Sequence, residues 1–153
     1  MTIRTRTRQQ RRAMVRALKK MRPTLDPRFL FAWHEQVWQY PEHGPVGVCY
    51  FRGEVPADRQ AYCGPYVDCL LYRGENGDLL GILNHYPVDC TLETAGSVNT
   101  WVHPEHWGKG IATALHAEAN RRWAIDYTKQ RFTPAGLAFT IRFLEKEQTN
   151  DEG

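Results

Sequence analysis

The spacing of apolar side chains changes twice along the chain. Between about Arg8 and Met21, the residues Met14, Val15, Leu18 and Met21 share one helical face and basic residues fill the rest. Residues 2–6 ahead of it fit a short edge strand. Asp26 followed by Pro27 supplies a helix N-cap and first helical position. Phe29, Leu30, Trp33, Val37 and Trp38 then predict a second helix with a wide apolar face, ended by Pro41 and Gly44. From there the apolar residues fall in short blocks, which predict strands at Val46–Phe51, Val67–Tyr72, Leu79–His85 and Ser97–Val102. The second and third of these flank Arg73-Gly74-Glu75-Asn76-Gly77-Asp78, whose Asn-Gly pair is the strongest hairpin signal in the chain. Pro104 stops the last strand. The helical period returns from Gly108 to about Trp123, with Ile111, Leu115 and Ala119 on the inner face, and Thr133-Pro134 opens a final helix to about Lys146. The tail from Gln148 to Gly153 is polar and expected to fray. Two helices, a set of antiparallel strands, then strand-helix and a last helix predict an α/β fold with a mixed, mostly antiparallel sheet and helices on both faces.

At 153 residues the chain is the size of one domain with a single core. No run is long and apolar enough to cross a membrane, and the N-terminus lacks the apolar stretch of a secretory signal, so the expected address is cytoplasmic. Cys49, Cys63, Cys69 and Cys90 are irregularly spaced and read as free thiols. A zinc site from Cys63, Cys69 and a histidine is disfavoured by that spacing. The net charge of +3 conceals an asymmetry: residues 1–22 hold nine bases and no acid, leaving eleven bases against seventeen acids in the rest. The division expected is therefore a basic helical extension (1–22), a folded body (23–147) and a polar tail (148–153). The basic helix suits either docking on its own acidic body or contact with phosphates, nucleic acid included.

The stretch with most chemical content is Val98-Asn-Thr-Trp-Val102-His-Pro-Glu-His-Trp107-Gly-Lys-Gly110-Ile-Ala112-Thr-Ala-Leu115. A strand ends at Val102 and a turn leads into a helix whose start holds Gly108, Gly110 and Ala112. Small residues let the backbone approach a ligand, and the first helical N–H groups lack internal partners. Together with the helix dipole they form an anion site suited to a pyrophosphate, with Lys109 adding positive charge. This stretch resembles motif A of the GCN5-related N-acetyltransferase (GNAT) superfamily: Arg or Gln, two residues, Gly, any residue, then Gly or Ala. Gly110 and Ala112 occupy the two small positions, whereas Trp107 stands where the family has Arg or Gln. The resemblance implies a sheet splayed at the cofactor strand and an acyl-CoA co-substrate, most simply acetyl-CoA. It implies that the backbone of Thr100, Trp101 and Val102 pairs with the pantetheine arm. The pyrophosphate would be held by the amides of Gly108, Lys109, Gly110, Ile111, Ala112 and Thr113. The family ordinarily continues with a helix bearing an acidic Tyr and two further strands. Here Thr140 falls where that Tyr is expected and only a polar tail follows Glu147, so the C-terminus is shortened.

Acyl transfer to an amine needs a base or a water wire for the amine and an acid for the leaving thiolate. His85 at the end of the third strand, Glu93 before the cofactor strand and Tyr127 after the following helix are the candidates, each with an ordinary structural reading beside it. Trp33, Trp38 and Tyr40 suit an acceptor wall or simple packing. His103, His106 and His116 are read as turn and helix residues rather than metal ligands. The function expected is N-acyl transfer from acyl-CoA to a primary amine by direct attack. Two alternatives stand beside it: a non-catalytic binding module of the same fold, and an acetyltransferase acting on nucleic acid or aminoacyl-tRNA. A shortened sheet would leave an edge that a second copy could cover.

Overall fold

In the computed structural model, the structure describes residues 6–26, 40–91 and 93–151. The expected edge strand at residues 2–6, the helix after Asp26, and the aromatic pair Trp33 and Trp38 lie wholly or mostly outside the described residues. The elements are α1 (Arg8–Lys19), β1 (Gly47–Glu54), the single-turn α2 (Gln60–Cys63), β2 (Tyr66–Arg73), β3 (Leu79–His85), β4 (Val98–Val102), α3 (Ile111–Arg122) and α4 (Pro134–Asp151). The strands form one sheet in the order β1-β2-β3-β4, each antiparallel to its neighbour. Thus the α/β, antiparallel architecture is as the strand pattern predicts. Among the described residues no strand follows β4, and α4 continues as helix to Asp151, through residues expected to fray.

Alternation along β2 and β3 sorts side chains between the faces, because successive strand residues point to opposite sides. Leu70 and Leu83 join α1, α3 and α4 in the main core, which also contains Val15, Leu18, Ile111, Leu115 and Leu144. Val67, Cys69, Leu71 and Ile82 turn the other way, to a smaller cluster with Val55, Cys63 and Tyr86, against which Tyr40 and Phe51 pack. The cysteines are free thiols, and Cys63 and Cys69 are buried. Gly81 of β3 permits the close seating of α3. A Cβ there would stand 2.8 Å from Ile111 Cγ2 and 3.3 Å from Leu115 Cδ1. That close approach sets the start of α3 beside the end of β4.

α1 begins with a complete capping box, in which the Thr7 hydroxyl accepts from Gln10 N–H and the Gln10 side chain accepts from Thr7 N–H. It lies against α4, with Leu18 fully buried. Ion pairs Arg6–Glu147, just ahead of the helix, and Lys19–Glu145, in its last turn, both at 3.6 Å, join it to the acidic end of α4. The basic helix therefore docks on the body of its own chain. Leu18→Ala is expected to cost about 2–4 kcal/mol of folding stability, as truncation of a fully buried leucine does, read as a lower urea midpoint with an unchanged slope. A loss under about 0.5 kcal/mol would mean that α1 adds little to the folded body.

Candidate functional site

Among the described residues β4 is one of the two outer strands, and its hydrogen bonds fix which main-chain groups remain open. Tyr86 N–H donates to Ser97 O and His103 N–H donates to Leu80 O. With the observed register, Ser97, Asn99, Trp101 and His103 direct their backbone groups at β3, and Val98, Thr100 and Val102 direct theirs outward. At Val98 the outward groups are taken by a side chain. The Gln130 carboxamide accepts from Val98 N–H at 3.0 Å and donates to Val98 O at 2.9 Å, standing in for a neighbouring strand. At Val102 the carbonyl accepts the Trp107 indole N–H at 2.7 Å. Among the described residues, the open positions of the edge are thus the Thr100 amide and carbonyl and the Val102 amide. Of the three strand residues implicated by sequence, Trp101 faces β3 with its backbone and packs its ring partly into the smaller cluster.

The chain leaves β4 through the 3-10 turn Pro104–His106 and enters α3 at Gly110, which has φ +81°. Gly108, at φ +78°, shares the left-handed conformation, and neither glycine has an atom within 4 Å of where a Cβ would stand. The first intrahelical bond of α3 runs from Ala114 N–H to Gly110 O. Among the described residues no side chain caps this helix, in contrast to the capping box of α1, and its first turn has no acid. The amides of Ile111, Ala112 and Thr113 are therefore without helical acceptors and face the positive end of the dipole, an arrangement that suits an anion. Lys109, whose ammonium lies 3.3 Å from His106 Nδ1, adds charge at the same turn. Among the described residues, the metal-type grouping of His103, Glu105 and His106 occupies this turn too. Its His103 Nδ1 already accepts Glu105 N–H and its His106 is beside the Lys109 cation, which favours anions over cations here.

Trp107, at the position where motif A carries Arg or Gln, is 69 % exposed and lies against the open edge. A ligand strand on that edge would cover its indole or displace it. Tryptophan emission is accordingly expected to change on titration with acetyl-CoA, and that change is expected to vanish in Trp107→Phe. An unaltered response in the variant would show that the ligand does not reach the Val102 end of the strand.

The three catalytic candidates occupy different places. Glu93 is half-buried, precedes β4, and its carboxylate hydrogen-bonds the Asn99 side chain. Asn99 in turn meets Asn84 Nδ2 and the Tyr86 hydroxyl, each at 3.1 Å. Burial pushes the Glu93 carboxyl up to about 7, against a partial lowering by the Arg131 charge and the Asn99 bond. His85 lies on the opposite, α3 face of the sheet, buried and stacked on Trp123 at 4.2 Å between ring centroids. Its Nδ1 is 3.0 Å from Asp68 Oδ2, and the Tyr50 hydroxyl donates to Asp68 Oδ1 at 2.5 Å. Burial alone would raise Asp68, but these hydrogen bonds and the His85 charge hold it below the usual carboxylate value. Tyr127 is fully buried under α3, where its hydroxyl meets His116 Nδ1 at 2.8 Å and Asn120 Nδ2 at 3.0 Å. Burial drives its pKa above the ordinary phenol value. Thr140, at the family's Tyr position, donates its hydroxyl to Gly136 O within α4. Sequence reasoning missed Gln130, Asn99 and Asn120, whose roles arise from packing and leave no motif.

An open strand edge that runs into an uncapped, glycine-led helix start defines a class of α/β protein suited to an extended, phosphate-bearing co-substrate. The family within that class follows from comparison with known proteins. The model of the Acetyltransferase (GNAT) family matches residues 20–146, most of the chain, and the chain belongs to that family. Its members typically are acetyltransferases that use acyl-CoA and an amine acceptor. No curated protein and no solved structure matches the chain. No helix of the described residues is long and apolar enough to cross a membrane.

Proposed function

We propose that the protein transfers an acetyl group from acetyl-CoA to a primary amine, with Glu93 as the base. The observation that carries this is the coincidence of two open features on one segment. The uncapped amides of Ile111 to Thr113, led by Gly108 and Gly110, suit a pyrophosphate, and the outward groups of Thr100 and Val102 suit an extended arm. An arm on that edge adds as a strand would, by main-chain hydrogen bonds. Glu93 ionises near neutral pH and lies by Asn99, so it can take the amine's proton directly or through one water. The amine nitrogen forms a bond to the thioester carbonyl carbon, the C–S bond breaks, and the sulfur leaves with the electron pair. His85 is the weaker candidate for base, since its ring is enclosed by Asp68 and Trp123. Tyr127 is unsuited to give up a proton, being buried and bonded on both sides.

The test is a calorimetric titration with acetyl-CoA, followed by thiol release in the presence of primary amines. A folded protein that gives no binding heat would sink this reading and leave a non-catalytic module of the fold. Arg6 and Lys19, which pair with α4, speak for self-docking rather than for a nucleic-acid acceptor.

A further inference from the structure

We infer that the Thr100 hydroxyl is a fixed hydrogen-bond donor to the sulfur of the bound thioester, held in that role by the buried string His116–Tyr127–Asn120. This rests on the acyl-CoA reading above. The direction of the string follows from which atoms can only donate or only accept. Asn120 Nδ2 donates to the His116 carbonyl at 2.7 Å, an obligate acceptor, and so the orientation of the amide is fixed. The same Nδ2 donates to Tyr127 Oη at 3.0 Å. Tyr127 is fully buried and meets no other acceptor among the described residues, so it directs its own proton to His116 Nδ1, 2.8 Å away. A neutral imidazole that accepts at Nδ1 carries its proton on Nε2, and His116 Nε2 lies 2.7 Å from Thr100 Oγ1. Burial keeps His116 neutral by pushing its pKa down to about 3. Thr100 Oγ1 is thus an acceptor from within, and its own proton is left to be donated elsewhere. Among the described residues no acceptor meets that proton.

The place of Thr100 on the strand selects the recipient. An arm that starts at the amides of residues 108–113 and runs back along β4 finds outward groups at Val102 and Thr100. It then meets the Gln130 carboxamide at Val98, which closes the edge. The reactive end is held beside Thr100. Glu93 reaches the neighbouring residue Asn99 on the other face of the same strand, so base and donor straddle the edge. No proton crosses the string. A threonine hydroxyl is a far weaker acid than a thiol, and burial makes Tyr127 a weaker acid still than a free phenol. The hydrogen bond stabilises the charge that develops on sulfur as the C–S bond breaks, and the thiolate takes its proton from solvent.

Product CoA tests this without any acceptor, since a donor to the thiolate must lower the pKa of the bound thiol. The thiol of bound CoA is titrated by thiolate absorbance in the wild type, Thr100→Val, Thr100→Ser and Tyr127→Phe. Valine preserves the backbone groups and the β-branch, and serine preserves the hydroxyl. The bound thiol is expected to ionise about one pH unit lower in the wild type and in Thr100→Ser than in Thr100→Val. Tyr127→Phe frees the imidazole tautomer and is expected to fall between them, which a merely structural role for Tyr127 would not produce. Equal thiol pKa values in wild type and Thr100→Val would overturn the proposal. A wild-type value in Tyr127→Phe would overturn the positioning string alone. Failure of the wild type to bind CoA would instead sink the acyl-CoA reading on which all of this stands.

Discussion

Glu93→Gln is expected to lower kcat for acetyl transfer by about 100-fold or more, the usual contribution of a positioned base, with KM for acetyl-CoA little changed. The reason lies in the local environment of one carboxyl group. Burial before β4 lifts Glu93 to about 7, so near neutral pH it is both substantially ionised and basic enough to accept a proton from an amine. Wild-type activity should climb as pH rises through about 7, and the glutamine variant should lose that limb of the profile. The same shift has a consequence for stability that needs no substrate. The folded chain keeps the Glu93 proton up to about pH 7, whereas an unfolded chain releases it near 4.5. Between these values the folded state binds more protons, so Glu93 draws stability down as pH rises through the window. Glutamine cannot ionise, and the variant should therefore gain stability relative to the wild type between pH 4.5 and 7 and hold that gain above it. Denaturant titrations at several pH values measure this directly. A relative stability independent of pH would remove the case for a perturbed Glu93, and an unchanged pH–rate profile would remove its role as base.

Gly110→Trp is expected to abolish acetyl-CoA binding, read by calorimetry as a loss of at least about 100-fold in affinity, or about 2.8 kcal/mol at about 1.4 kcal/mol per tenfold. Gly110 holds φ +81° at the N-cap of α3, a conformation that a side chain makes costly by about 1–2 kcal/mol. Nothing among the described residues stands within 4 Å of a Cβ there, so the side chain starts into open space, where the pyrophosphate would lie. Gly110→Ala separates the two effects, because it shares the backbone strain and lacks the bulk. The expected order of affinity is wild type, then Gly110→Ala, then Gly110→Trp, with both variants folded and their melting temperatures lowered by similar amounts. Wild-type affinity in a folded Gly110→Trp would mean that the α3 start does not hold the phosphates.

Much of the fold could be read from residues close in sequence. The hairpin at Asn76-Gly77 and the strand Leu79–His85 follow from turn chemistry and alternation, and Leu79–His85 agrees with the structure at both ends. Gly108, Gly110 and Ala112 identify the helix start because a helix N-terminus and its small residues form one contiguous stretch. Side chains that act across the fold were not legible. Glu93 and His85 looked alike as candidates, yet alternation and loop placement put them on opposite sides of the sheet, one by Asn99 and the other under Trp123. Tyr127 carried the chemistry of an acid, but its burial against His116 and Asn120 appears only after α3 is seated on Gly81.

By itself, the sequence determined the antiparallel hairpin at Asn76-Gly77, the family and the glycine-led helix start, since each depends on neighbours within a few residues or on a continuous motif. Tertiary structure alone decided which strand groups stay open, that Gln130 closes the edge at Val98, and that Thr100, His116, Tyr127 and Asn120 are joined in one hydrogen-bonded string. These relations link residues up to 32 positions apart. They depend on how α3 and the segment after it pack on β4, and no local preference of the chain encodes that geometry.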